Sequence, residues 1–186
     1  MPDMAEYGEG NRAEAYIPRA HTIHATVEEY LRTAYSPDRE YRDGVVLERN
    51  VGDKEHSKLQ ARLAQYFANR RRQWNIEVYT ELRVQVTPTW YPLPDVCVYS
   101  PDFEGSYPAQ PPLLWIEILS PSDTMAEIWK KTGDLVQAGV PRVWIIDPSS
   151  LESELRTSTG IYQLINKTLL IPDTPIEISL LDVVKD

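Results

Sequence analysis

The chain has 186 residues, with 19 Lys and Arg against 28 Asp and Glu, a net charge of −9; 42% of it is hydrophobic and 25% charged. That length and balance describe one ordinary globular domain, and the acid excess counts against a protein that coats nucleic acid through bulk positive charge. A single cysteine, Cys97, excludes an intramolecular disulfide and a Cys-rich zinc site. No apolar run approaches the roughly 18 residues of a membrane span.

Residues 1–24 carry Gly8, Gly10 and Pro18 without periodicity and read as a flexible tail before one domain over 25–186. The tail lacks the apolar stretch of a signal peptide, so a cytoplasmic protein is expected. Thr26 and Glu29 make a capping box that opens a helix to about Ala34. Residues 39–49, with Asp43-Gly44 at the centre, predict a hairpin. A long helix follows over 54–73, with Leu59, Leu63, Tyr66 and Phe67 as one stripe. His56 and Arg70 fall near the centre of that stripe and face inward or toward a crevice.

After Trp74 the period changes to two. IEVY, ELRVQV (81–86) and PDVCVY (94–99) are predicted strands. LLWIEIL (113–119) is apolar on both faces, as a central strand covered on both sides should be. A helix over about 123–138 and a buried strand RVWIID (142–147) come next. ELRTST, IYQLI and TLLI then suggest an antiparallel meander turning at Gly160 and Asn166-Lys167. The order implies an α/β domain with a mixed sheet. Trp115, Trp129 and Trp144 fall on apolar patterns and are expected in the core, with Cys97. Trp90-Tyr91, in a proline-rich loop, is expected to be exposed.

Glu117 is the most informative residue, because a carboxylate inside a doubly covered strand is costly unless paired or bound to a cation. An Arg or backbone amides could satisfy it. Asp95 opens a neighbouring strand after Pro94; alone it reads as a turn or cap residue. Together the two are the minimum for a hard-cation site. Lys131 lies about 100° from the centre of its helix's stripe, so its ammonium can reach the strand ends; an i,i+4 pair with Glu127 is the competing expectation. Ser122 or Asp123 is placed to cap that helix. Nothing in the chain matches G-x-x-x-x-G-K-[ST], G-x-G-x-x-G or G-x-S-x-G.

EYRDG (40–44), EH (55–56), PDVCV (94–98), EILSPS (117–122), Lys131 and GVPRVWIIDP (139–148) stand in the order of the Uma-two family, which the chain resembles from about Thr26 to Pro148. That family belongs to the restriction-endonuclease-like PD-(D/E)XK superfamily. The resemblance implies a restriction-endonuclease-like core, a mixed β-sheet flanked by helices, with additional antiparallel strands at both ends. It also implies a metal-dependent endonuclease cutting DNA. Asp95, Glu117 and the main-chain carbonyl of Ile118 would hold Mg2+ or Mn2+, and Glu40 would be a further acid. The superfamily lysine position, two after the Glu, is Leu119 here; Lys131 from the following helix would replace it. Arg70, Arg83 and His56 are candidates for contacting substrate, His56 having packing at a helix start as its plainer role. A homodimer is expected. The alternatives are a non-catalytic relative used for binding or oligomerisation, and a hydrolase of another phosphoester.

Overall fold

The computed structural model describes residues 23–100 and 102–185; the expected tail therefore lies, up to residue 22, outside the described residues. In chain order the elements are β1 (Ile23–His24), α1 (Val27–Arg32), β2 (Glu40–Arg42), β3 (Val45–Leu47), α2 (Lys54–Trp74) and β4 (Glu77–Thr80). Next come β5 (Trp90–Tyr91), β6 (Val96–Tyr99), β7 (Leu114–Ile118), α3 (Met125–Gln137) and β8 (Val143–Ile146). The chain continues through β9 (Ser153–Thr157), β10 (Gly160–Gln163), β11 (Thr168–Leu170), β12 (Glu177–Ser179) and α4 (Leu180–Lys185).

The main sheet has the order β10-β9-β8-β7-β6-β4. Among the described residues only β7 and β8 pair in parallel, and α3 is the crossover between them. Every residue of β6, β7 and β8 is buried, which explains their continuous apolar runs. Leu114, Ile116 and Ile118 of β7 pack with Leu59, Leu63 and Phe67 of α2. On the opposite face Trp115 packs with Ile128 and Leu135 of α3. The period-two alternation of a strand thus sends Glu117 to the α3 side.

Local sequence signals set the connections. Thr26 Oγ1 accepts from Glu29 N–H while the Glu29 carboxylate accepts from Thr26 N–H, closing the expected capping box. Asp43 (φ 50°) and Gly44 (φ 87°) form the two-residue turn between β2 and β3, whose positive φ values suit Asp-Gly. Asp53, not Ser or Thr, caps α2 by accepting from His56 N–H.

Several expectations change. Residues 81–86 form no strand: Val84 and Val86 donate to the carbonyls of Pro92 and Trp90, but Pro92 and Pro94 have no N–H to return the ladder. Trp90 and Tyr91 are buried as β5, paired with β2; Trp90 joins the α3-side core and Tyr91 packs tilted and edge-on against Tyr30 and Tyr41. Trp129 is 45% exposed, because the buried stripe of α3 is Ile128, Thr132 and Leu135 and Trp129 lies one residue round. The late meander stops after the β9–β10 hairpin; β11 pairs instead with β12 in a separate two-stranded sheet. Ile23 and His24, expected at the end of the tail, pair with Val46 and Val45. Thr124, rather than Ser122 or Asp123, caps α3.

Candidate active site

Glu117 and Asp95 meet because of register. Val96 pairs with Ile116 in the antiparallel β6–β7 ladder, so extending that ladder by one residue sets Asp95 opposite Glu117. Both side chains are buried. Asp95 Oδ2 accepts from the Ile118 N–H at 2.7 Å and lies 3.3 Å from His56 Nε2. Asp95 Oδ1 accepts from Arg49 Nη2 at 3.1 Å. Its main-chain carbonyl accepts from Gln60 Nε2 at 3.0 Å. The strand start is therefore gripped from α2 and from the loop before it.

Lys131 reaches the site from α3. Its Nζ is 2.9 Å from Glu117 Oε1 and 2.8 Å from Glu40 Oε1. Glu40 Oε1 also takes the Leu93 N–H at 3.3 Å, and Glu117 Oε1 takes Trp115 Nε1–H at 2.7 Å. The surface pair with Glu127 does not form: Glu127 bonds the Thr124 hydroxyl, and Lys130 pairs with Asp134. β2, β7, α3 and the residue preceding β6 thus bring Glu40, Glu117, Lys131 and Asp95 to one cleft of about 380 Å³. Arg49 and His56 line it too, as does Ile118.

The electrostatics follow from burial and proximity. Burial first, then the nearby Asp95 and Glu40, push Glu117 up to about 7 against the pull of Lys131. Burial opposes the charge on Lys131, yet Glu117 and Glu40 raise its pKa above the ordinary lysine value. Burial would raise Asp95, but the bond and charge of His56, the Ile118 N–H and the charge of Arg49 hold it below the usual carboxylate range. His56 is raised for the reciprocal reason: burial lowers it and Asp95 more than compensates.

Three carboxylates, Glu40, Asp95 and Glu117, gather their oxygen donors in the cleft beside Arg49 and Lys131. That donor chemistry fits a hard divalent ion. Among the described residues, no three His, Cys, Asp or Glu side chains are gathered into a cage for a metal ion. A magnesium-type ion needs none, since it takes one or two carboxylates and keeps several waters. Asp95, Glu117 and the Ile118 carbonyl are the residues that could hold it.

Two expected substrate contacts lie elsewhere. Arg70 shares a helix face with His56 but stands fourteen residues on, which is about 21 Å along the axis at 1.5 Å per residue; its guanidinium stacks 3.5 Å above the Tyr66 ring. Arg83 is buried and cross-links Asp38 with the carbonyls of Tyr30 and Thr33, an anchor for the end of α1. Conversely, sequence reasoning missed Arg49, Trp115 and Gly52. Alternation along β7 could have found Trp115, two residues before Glu117. Nothing local signals Arg49. At Gly52 a Cβ would come within 2.3 Å of His56 Nδ1, so only glycine lets the imidazole fold against that loop on its way to Asp95.

The family profile described as "Uma2: Putative restriction endonuclease" matches residues 27–180. A solved structure described as a "putative nuclease belonging to DUF820 from Anabaena variabilis ATCC 29413" is similar, with a TM-score of 0.71 and 20% sequence identity. The similarity covers 87% of this chain and 98% of that chain. At that identity the likeness is one of fold. Among curated proteins none matches. No helix of the described residues is long and apolar enough to cross a membrane.

Proposed function

The chain belongs to the Uma2 family, and from that premise we propose that it is a divalent-metal-dependent endonuclease hydrolysing DNA phosphodiester bonds. The observation that carries this reading is the meeting of Asp95, at the start of β6, and Glu117 of the adjacent β7 in one cleft, with the Lys131 ammonium 2.9 Å from Glu117. Asp95, Glu117 and the Ile118 carbonyl would hold the ion, magnesium or manganese. Bound there, such an ion lowers the pKa of a water ligand and neutralises phosphate charge.

The remaining groups have separate tasks. Lys131, kept protonated by its two carboxylates, supplies positive charge to the phosphoryl group rather than accepting a proton. Glu40 holds the Lys131 ammonium from the far side and so fixes where that charge lies. His56 holds Asp95 Oδ2, directing the carboxylate toward Glu117. Leu119 at the superfamily lysine position is then no obstacle, because α3 delivers an equivalent ammonium across the cleft.

A second reading, hydrolysis of a smaller phosphoester, is favoured by the acidic rim. Glu48, Asp123 and Glu127 also line the cleft, and a polyanion must approach past them. Supercoiled plasmid, single-stranded DNA and a small chromogenic phosphodiester, each incubated with Mg2+ or Mn2+, separate the two. Metal-dependent nicking that vanishes in Asp95→Ala and Glu117→Ala supports the endonuclease. Turnover of the small ester alone would replace it with the second reading, and cutting by either variant at the wild-type rate would overturn the site.

A further inference from the structure

Arg49 occupies the position from which a cation would be expected to act on Asp95. It stands in the loop between β3 and α2, and its side chain is only 17% exposed. Its Nη2 lies 3.1 Å from Asp95 Oδ1 and its Nη1 3.5 Å from Glu81 Oε1. The other oxygen of Asp95 is committed to the Ile118 N–H and to His56. Oδ1 is therefore the oxygen most open to exchange between partners, and the guanidinium is on it.

Charge makes that placement consequential. Glu40, Asp95 and Glu117 crowd one cleft with Glu48, Asp123 and Glu127 at its rim, so the Arg49 guanidinium and a divalent ion are drawn to the same carboxylates. A guanidinium is also the group that best matches a phosphate, through paired N–H donors in a planar fork.

Resting on the metal-dependent reading above, we propose that Arg49 is a resident counter-ion of Asp95, competing with the divalent ion in the free protein and passing to the DNA phosphate when that ion is bound. The loop thus carries a cation that spares the empty carboxylate an uncompensated buried charge. It gives the same cation to the substrate once the carboxylate is otherwise neutralised.

The sign of one measurement tests this. Mn2+ alone is titrated calorimetrically into wild type, Arg49→Gln, Arg49→Lys and Glu117→Gln. Removing a competing positive charge at this range should tighten Mn2+ binding about tenfold in Arg49→Gln, and Arg49→Lys, which keeps the charge, should return close to wild type. With saturating Mn2+, Arg49→Gln should nick plasmid at least tenfold more slowly. A purely structural arginine would weaken metal binding when removed, so equal or weaker Mn2+ binding by Arg49→Gln overturns the proposal. Unimpaired nicking by that variant overturns the transfer to phosphate. If Arg49→Gln is less stable, the rise in Tm on adding Mn2+ gives the same comparison and should be larger than in wild type. Absence of Mn2+ binding in both wild type and Arg49→Gln would instead defeat the metal-dependent reading itself, and this inference with it; binding by wild type that Glu117→Gln loses keeps that reading intact while Arg49 is judged.

Discussion

The two faces of β7 are built to opposite rules. Toward α2, Leu114, Ile116 and Ile118 meet Leu59, Leu63 and Phe67 with hydrocarbon throughout. Toward α3, the same strand begins with Trp115 in an apolar core and ends with Glu117 among Asp95, Glu40 and Lys131. One face closes and the other opens into a charged cleft over five residues. Volume on the α2 face stabilises the fold, whereas burying charge on the α3 face costs stability unless that charge is paired.

The sharpest way to break this contrast is to exchange the expected consequences. Asp95→Ala and Glu117→Gln should each lower metal-dependent cleavage by about a thousandfold or more, since on the proposed function each removes a ligand and its electrostatic contribution. Neither should unfold the protein; metal-free Glu117→Gln should melt at or above the wild-type temperature, because it relieves a buried, crowded carboxylate. Phe67→Ala, a fully buried ring on the α2 face, should cost about 3–5 kcal/mol in urea unfolding while leaving Mn2+ affinity in the folded protein unchanged. A loss of Mn2+ binding in Phe67→Ala, measured where it is still folded, would show that the faces are not independent.

Smaller effects sharpen the boundary between them. Gly52→Ala forces the His56 ring away from its loop, and should lower stability by about 1–3 kcal/mol together with a several-fold fall in Mn2+ affinity. Arg42, in β2 of a four-stranded sheet ordered β1-β3-β2-β5, joins that sheet to α3 through a 2.7 Å bond to Asp134. Arg42 holds the Asp134 carboxyl below its ordinary range, so the stability it contributes is present above the unfolded pKa and disappears as pH falls through the folded one. Asp134→Asn should therefore cost about 0.5–1 kcal/mol at pH 7 and reduce the dependence of stability on pH below about 4. Thermal melts of both proteins from pH 3 to 7 check it, with cleavage at pH 7 unchanged.

The sequence was legible wherever a residue's meaning is local. The Thr26–Glu29 box, the Asp43-Gly44 turn, the stripe of α2 and the doubly buried strands around Glu117 all depend on neighbours within a few positions. Residues 81–86 misled because alternation reports which side chains are apolar, not whether the opposing segment has N–H groups to give. Trp90 and Tyr91 misled in the opposite sense: a proline-rich loop looks exposed until β2 pairs with it. Arg70 shows the limit of a helical wheel, which fixes direction around the axis and is silent about distance along it.

From sequence, α1, the β2–β3 hairpin, α2, β6, β7, α3 and β8 were legible, as were the buried setting of Glu117 and the ordered motif set that matches the family, because these rest on periodicity and on residue order. Only the tertiary structure decided that Lys131 turns from Glu127 to Glu40 and Glu117, that Arg83 anchors α1, and that Arg49 closes on Asp95. Those choices lie between residues far apart in the chain, where the partner of a long charged side chain is set by the register of strands and the crossing of a helix. Local pattern carries no information about that geometry.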